Sequence, residues 1–226
     1  YEFGSVFKTF TLAAAFNERI IEPDTEFIEL PKTLTCAGFS IKEYDDQIPS
    51  NLTAEQILIR SGNIGSVRIG QKVGVEKFKL FLSKIGILDK INFDITEVGK
   101  PLSFNWGKCP LATASFGHGI TTTLLQLSKA YSIIVNGGYQ IHPTLIKKNE
   151  EKKLNKILDE EVSEKVLPIL RKIVTTKEGT ASLANIEGFE IGGKTGTAQK
   201  SIAGRDSKKK INTFVSVFPT SKPKFV

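Results

Sequence analysis

Apolar and polar positions along the chain fall into helical patterns through most of its length and extended patterns near its C-terminus. From Ser5 to about Asn17 (SVFKTFTLAAAFN) helix formers run from Gly4 toward Pro23, which predicts a buried helix starting at Ser5. Residues 22–50 keep no steady period and are punctuated by Pro23, Pro31 and Pro49. Thr53 and Gln56 then have capping-box spacing, with Leu52 and Ile57 as a hydrophobic staple. A short helix over about 54–60 should deliver Ser61-Gly62-Asn63 at its end. Helices are also expected over 64–73 and 75–85, the second carrying Phe78, Phe81, Leu82 and Ile85 on one face before Gly86. Thr123 and Gln126 cap another, which ends at Gly137-Gly138. Val162, Val166, Ile169, Leu170 and Ile173 keep helical spacing, and Pro168 should kink that segment or start a second helix. Phe189 with Ile191, and then 214–218, read as two strands joined by a loop.

Composition narrows the class. With 226 residues, 40% hydrophobic and 24% charged, the chain is sized and composed for one large globular domain, which excludes disorder, a collagen, a disulfide-rich scaffold and a coiled coil. Its most apolar stretch, 124–135, is interrupted by Gln126 and Lys129 and is too short to span a bilayer. The chain holds no methionine and starts at Tyr1, so it reads as a fragment, and a missing signal or anchor says nothing about compartment. Cys36 and Cys109 allow two thiols or one disulfide, with buried thiols the favoured reading. The net charge of +7 is concentrated in 199–210, where Lys200, Arg205, Lys208, Lys209 and Lys210 face only Asp206. No aromatics interleave there, so the stretch reads as a solvated loop and not as a nucleic-acid surface. Residues 147–165 are charge-dense but balanced, as a solvent-facing connection would be.

Three short signatures could carry chemistry. In Ser5-Val6-Phe7-Lys8 the hydroxyl and the amine share a helix face. A serine needs an adjacent base to act as a nucleophile, and a lysine whose pKa is lowered by apolar burial can be that base. In Ser61-Gly62-Asn63 a second hydroxyl could relay a proton and an amide could hold a substrate backbone or position Lys8. In Gly192-Gly193-Lys194-Thr195-Gly196-Thr197, glycines on an edge strand would let a substrate backbone approach. Lys194 and Thr195 would meet a carboxylate, and the Thr197 N–H could complete an oxyanion hole. The first alone is more often a capping serine with a surface lysine, and the second an ordinary turn. Residues 188–195 also satisfy the phosphate-binding G-x-x-x-x-G-K-[ST] pattern, but neither the preceding strand nor the following helix of a P-loop is evident. His118 between two glycines reads as a turn residue and His142 before Pro143 as a loop residue. Neither G-x-S-x-G nor H-E-x-x-H occurs, so a serine hydrolase of the elbow type and a zinc site are disfavoured.

The three signatures gain specificity from their order: S-x-x-K, S-x-N 56 residues later, and K-T-G 133 residues after that. With Tyr1-Glu2-Phe3-Gly4-Ser5, residues 114–120 (ASFGHGI), 178–181 (EGTA) and 193–199 (GKTGTAQ), the sequence resembles the transpeptidase domain of class B penicillin-binding proteins, most closely their division-specific branch. Phe3 and Leu124 stand where that family usually has proline. The resemblance implies an α+β fold of the serine β-lactamase/D,D-transpeptidase type, an antiparallel sheet flanked by helices with a mostly helical subdomain. It implies that residues 1–226 are one catalytic domain truncated at both ends, without the family's last strand, terminal helix, membrane anchor and N-terminal pedestal domain. It further implies a septal peptidoglycan D,D-transpeptidase that crosslinks stem peptides and is acylated by β-lactams. Ser5 would be the nucleophile, Lys8 its base, Ser61 and Lys194 a proton path, and Asn63 an orienting amide. Lys194, Thr195, Gly196 and Thr197 would bind substrate. No metal and no cofactor are implied. The implied partners are a D-Ala-D-Ala donor, an amine acceptor and membrane proteins of a division complex including a glycosyltransferase, with the domain in the periplasm on an inner-membrane anchor. A serine β-lactamase, a β-lactam sensor and a P-loop nucleotide-binding domain are the alternatives. Against the lactamase, Glu97-Val98-Gly99-Lys100-Pro101 is not E-x-x-L-N.

Overall fold

A computed structural model of the chain describes residues 1–147, 154–202 and 205–226, and of 200–202 and 205–208 the backbone alone. A 3₁₀ turn over Gly4–Phe7 runs into α1 (Lys8–Asn17). The α-helix thus begins later than the expected Ser5. Gly4 sits at φ +58° and Phe3 supplies no capping side chain, so the first turn winds tightly instead. Every residue from Lys8 to Phe16 is buried, which makes α1 the central rod of the domain.

Two small antiparallel pairs follow: β1 (Glu26–Phe27) with β4 (Leu52–Thr53), and the hairpin of β2 (Thr33–Cys36) with β3 (Phe39–Lys42). The capping box at Thr53 forms as expected and starts α2 (Ala54–Ile59). Next come α3 (Asn63–Val73), α4 (Val75–Lys84), α5 (Lys108–Ala114) and α6 (Leu124–Val135), the last opened by the Thr123–Gln126 box. α2, α3 and α4 pack around α1. Against its first turns, Phe7, Phe10 and Tyr131 meet edge to face, and the Tyr131 hydroxyl donates to Val6 O (2.7 Å) and accepts from Thr9 Oγ1 (2.9 Å). The core therefore grips the segment that carries Ser5 and Lys8.

α7 (Glu160–Thr175) runs unbroken through Pro168, so no second helix starts there. The proline lies on the exposed face together with Glu164, whose carbonyl is the one deprived of its i+4 donor, and water can satisfy it. The N-terminal part of the charge-dense connection, 148–153, lies outside the described residues; the part after it ends in α7.

β5 (Gly192–Ile202) and β6 (Arg205–Val217) form the remaining antiparallel pair and pack on α7 and on the 3₁₀ turn. Here the strand expectations need correcting. Phe189 and Ile191 precede β5, and pairing continues through the lysine-rich stretch to Ile202–Arg205, with one register shift between Gln199 and Ser201. Charge density had pointed to a loop. Backbone pairing uses only N–H and C=O groups, so a strand can carry such charge.

Cys36, at the hairpin turn, is joined to Cys109 on α5 by a disulfide, with Cα atoms 5.6 Å apart. The expectation of two buried thiols is thereby corrected: the fold brings together residues 73 apart and ties β2–β3 to the helical layer. Among the described residues no helix is long and apolar enough to cross a membrane.

Candidate active site

The three signatures converge on one open cleft of about 590 Å³. Ser5 reaches it from the 3₁₀ turn, Ser61 and Asn63 from the α2–α3 junction, and Thr195, Gly196 and Thr197 from β5. Lys8 and Lys194 stand behind this surface at 1% and 0% exposure. All eight predicted residues are therefore in or directly behind one site.

Local backbone chemistry sets Ser61. α2 ends in a Schellman arrangement, with Ser61 N–H on Leu58 O (3.1 Å) and Gly62 N–H on Ile57 O (2.9 Å). That motif puts its turning residue in the left-handed region, usually filled by glycine, and here Ser61 holds φ +58°. A serine there is strained by roughly 1–3 kcal/mol, yet both its carbonyl and its hydroxyl meet Lys8.

Lys8 Nζ donates to Ser61 O, to Ser61 Oγ (3.2 Å) and to Asn63 Oδ1 (2.7 Å). Among the described residues no hydrogen bond joins Ser5 Oγ to this amine, so the expected direct pairing is not formed; the lysine's donors are taken up by the S-G-N turn. Burial pulls the Lys8 pKa down to about 7, and the carboxylate of Glu43 opposes that fall only in part. On the far side Lys194 Nζ donates to the same Ser61 Oγ (2.8 Å) and to Thr195 O (3.0 Å). Its pKa is driven well below the ordinary lysine value by burial first and by the charge of Lys8 second. Ser5, partly exposed in the cleft, stands three residues before a buried lysine whose amine can be neutral near neutral pH.

Close backbone packing aligns β5 with the 3₁₀ turn that carries Ser5. A Cβ on Gly4 would lie 2.4 Å from Thr197 O, and one on Gly196 would lie 2.3 Å from Phe3 O. Only hydrogen fits at either position. Thr195 Oγ1 shares a 2.6 Å hydrogen bond with Thr180 Oγ1, and Thr197 Oγ1 donates to Asn212 Oδ1 at 3.2 Å. The G-K-T stretch is an extended strand that continues to Ile202 without opening a helix, which removes the P-loop reading.

Several residues of the site escaped the sequence reading. Glu43 holds the start of α3 from a strand end 20 residues upstream, and nothing in the irregular stretch before Ser50 marks it. Glu2 accepts the Gly119 N–H (3.0 Å), and His118, expected to be a plain turn residue, lines the cleft stacked on Phe116. His142 is in a loop, as expected.

Similarity to known proteins follows the same lines. The family described as penicillin binding protein transpeptidase domain matches residues 1–226. A Caulobacter vibrioides protein, "Probable peptidoglycan D,D-transpeptidase FtsI", is 27% identical over 231 residues, covering 99% of this chain and 39% of its own length. "Stage V sporulation protein D" of Bacillus subtilis is 29% identical over 242 residues, covering 100% of this chain and 37% of its own. The chain thus spans about two-fifths of these curated relatives. Among solved structures, the apo transpeptidase domain of Burkholderia pseudomallei penicillin-binding protein 3 superposes with a TM-score of 0.90 at 26% identity, over 99% of this chain and 68% of that one. Penicillin-binding protein 3 of Mycobacterium tuberculosis, solved with aztreonam, shares the fold at a TM-score of 0.88 and 23% identity, over 100% of this chain and 55% of that one.

Proposed function

The chain belongs to the penicillin-binding protein transpeptidase domain family, and on that premise we propose that the intact protein is a septal peptidoglycan D,D-transpeptidase acting through a serine acyl-enzyme. The observation that carries this reading is the Ser61 hydroxyl bridging two buried lysines beside Ser5. Neutral Lys8 takes the Ser5 proton as Oγ bonds to the carbonyl carbon between the two terminal D-alanines of a stem peptide. The N–H groups of Ser5 and Thr197 hold the resulting oxyanion. The C–N bond then breaks, and the departing D-alanine amine receives a proton through Ser61 from the lysine pair. An acceptor amine attacks the ester and gives a proton to Lys8; the ester C–O bond breaks, Lys8 returns that proton to Ser5 Oγ, and one new amide crosslink is left. Lys194 and Thr195 bind the donor carboxylate, the strand at Gly196 and Thr197 pairs with its backbone, and Asn63 orients Lys8.

A β-lactam would enter the same path, its ring amide standing in for the D-Ala-D-Ala bond; the Mycobacterium relative was solved with aztreonam and with ampicillin. The disulfide between Cys36 and Cys109 supports a periplasmic, oxidising location, which suits an inner-membrane-anchored enzyme working with division-complex membrane proteins, a glycosyltransferase among them.

The test uses a fluorescent penicillin and a synthetic stem-peptide donor with an amine acceptor. Ser5 should be labelled and the label released slowly, Ser5→Ala should abolish labelling, and mass spectrometry should find the crosslinked product. Rapid drug hydrolysis would mean a lactamase, and labelling without crosslinking would mean a sensor.

A further inference from the structure

The S-G-N turn has no capping group of its own. α3 begins at Asn63, and its N-cap is Gly62, which has no side chain to accept the helix's first free N–H groups. Glu43, just past the end of β3, does so from elsewhere in the fold. Its Oε2 accepts Asn63 N–H at 2.6 Å and its Oε1 accepts Ile64 N–H at 2.9 Å. The neighbouring carbonyl of Lys42 accepts Asn63 Nδ2 at 2.8 Å, leaving Oδ1 of the same amide turned to Lys8. The Tyr44 hydroxyl donates to Arg60 O at 3.0 Å, at the end of α2. Three consecutive residues therefore clamp the turn that receives Lys8.

We propose that Glu43 is a positioning residue of the acylation site: by holding the first two N–H groups of α3 it fixes where Ser61 and Asn63 meet the Lys8 amine. The inference rests on the reading of Ser5 as nucleophile and Lys8 as its base. A carboxylate at a helix N-terminus is favoured both by the two charge-assisted bonds and by the helix dipole, so the arrangement is stable without substrate. Two titratable groups face Lys8 from the elements packed against it. Glu43 favours its charged form, and the charge of Lys8 in turn lowers the pKa of Lys194 on β5.

Acylation of the intact protein by the fluorescent penicillin, followed between about pH 6 and about pH 9, tests this. Glu43→Gln should lower the plateau rate at least roughly tenfold, because the turn loses both charge-assisted bonds. It should also move the pH midpoint below that of the parent, because the carboxylate no longer favours protonated Lys8. Glu43→Asp keeps the charge, so it should keep the midpoint and recover part of the rate. If Glu43→Gln melts below the assay temperature, the double variant Glu43→Gln/Gly62→Ser is scored instead. Gly62 has ordinary extended φ/ψ, and a hydroxyl there caps α3 without restoring the charge. A parent-like rate and midpoint in Glu43→Gln would overturn the proposal while leaving the reading of Ser5 intact. Equal losses in Glu43→Gln and Glu43→Asp with no midpoint shift would reduce Glu43 to a structural role. An unlabelled Ser5 in the parent would instead remove the reading on which the proposal stands.

Discussion

Lys8 and Lys194 share one oxygen: the Ser61 hydroxyl lies 3.2 Å from the first amine and 2.8 Å from the second. Two full charges at the separation those contacts allow would repel by roughly 3 kcal/mol or more at an effective dielectric of about 20, besides the cost of burying each. The pair therefore favours a state with at least one amine neutral, and the hydroxyl is the only bridge through which a proton can pass directly between them among the described residues. Ser61→Ala should fold, since alanine fits the space, and should acylate about 10²- to 10⁴-fold more slowly in stopped-flow with a fluorescent penicillin. A change under about threefold would show that the bridge is not on the proton path.

The acylation rate should rise with pH and reach half its plateau near the Lys8 pKa of about 7. Lys8→Arg should lose acylation at every pH, because a guanidinium keeps its proton. Stability has its own signature. The folded-state pKa lies below the ordinary lysine value of 10.5. Between the two values the unfolded chain binds the proton that the folded chain lacks, so stability should increase as pH rises through that window and fall again on return toward 7. Urea unfolding of the parent and of Lys8→Met at several pH values in the window would expose the difference, the variant showing the shallower rise.

Gly4→Ala should be costly twice over. The new methyl would meet Thr197 O at 2.4 Å, and φ +58° disfavours any side chain. A loss of roughly 2–4 kcal/mol, with β5 displaced and labelling reduced, is expected from thermal unfolding and penicillin binding. Gly38→Ala is the control: it has a similar backbone conformation, φ +82°, but no atom within 4 Å of the new methyl. It should cost about 1 kcal/mol and leave labelling unchanged.

Replacing both cysteines by serine opens a loop closed across 73 residues of sequence. Chain entropy alone predicts a loss of about 4 kcal/mol in urea unfolding, an upper value if the unfolded chain is compact. The hairpin that ends at Lys42 and Glu43 would be freed at its turn, so the pH midpoint of acylation should broaden or shift as well. Unchanged stability would mean that the hairpin is held by its other contacts.

Local signals were legible where they act over a few residues. The Thr53 and Thr123 capping boxes gave helix starts that the structure reproduces, and the three signatures meet in and behind one cleft. What was missed depends on distance in the chain. Glu43 caps a helix that begins 20 residues later, and Cys36 meets Cys109 only because β2–β3 folds back on α5. The lysine-rich stretch was misread for a different reason. Its side-chain charge resembles that of a loop, while its backbone pairs as a strand. At Pro168 no second helix starts, since a helix interior accepts proline where the orphaned carbonyl faces water.

The touching backbones of Gly4 and Thr197 also limit how this chain can evolve. A contact built of hydrogen and carbonyl oxygen offers no side chain to trim, lengthen or recharge, so point mutation has no small step to take there. If a β-lactam were the selecting agent, the gradual routes would run around the rim of the cleft, through residues such as Gln199 and Lys210, whose side chains can change without disturbing the seam behind Ser5. Variants found in nature should therefore differ at the rim and agree at the seam.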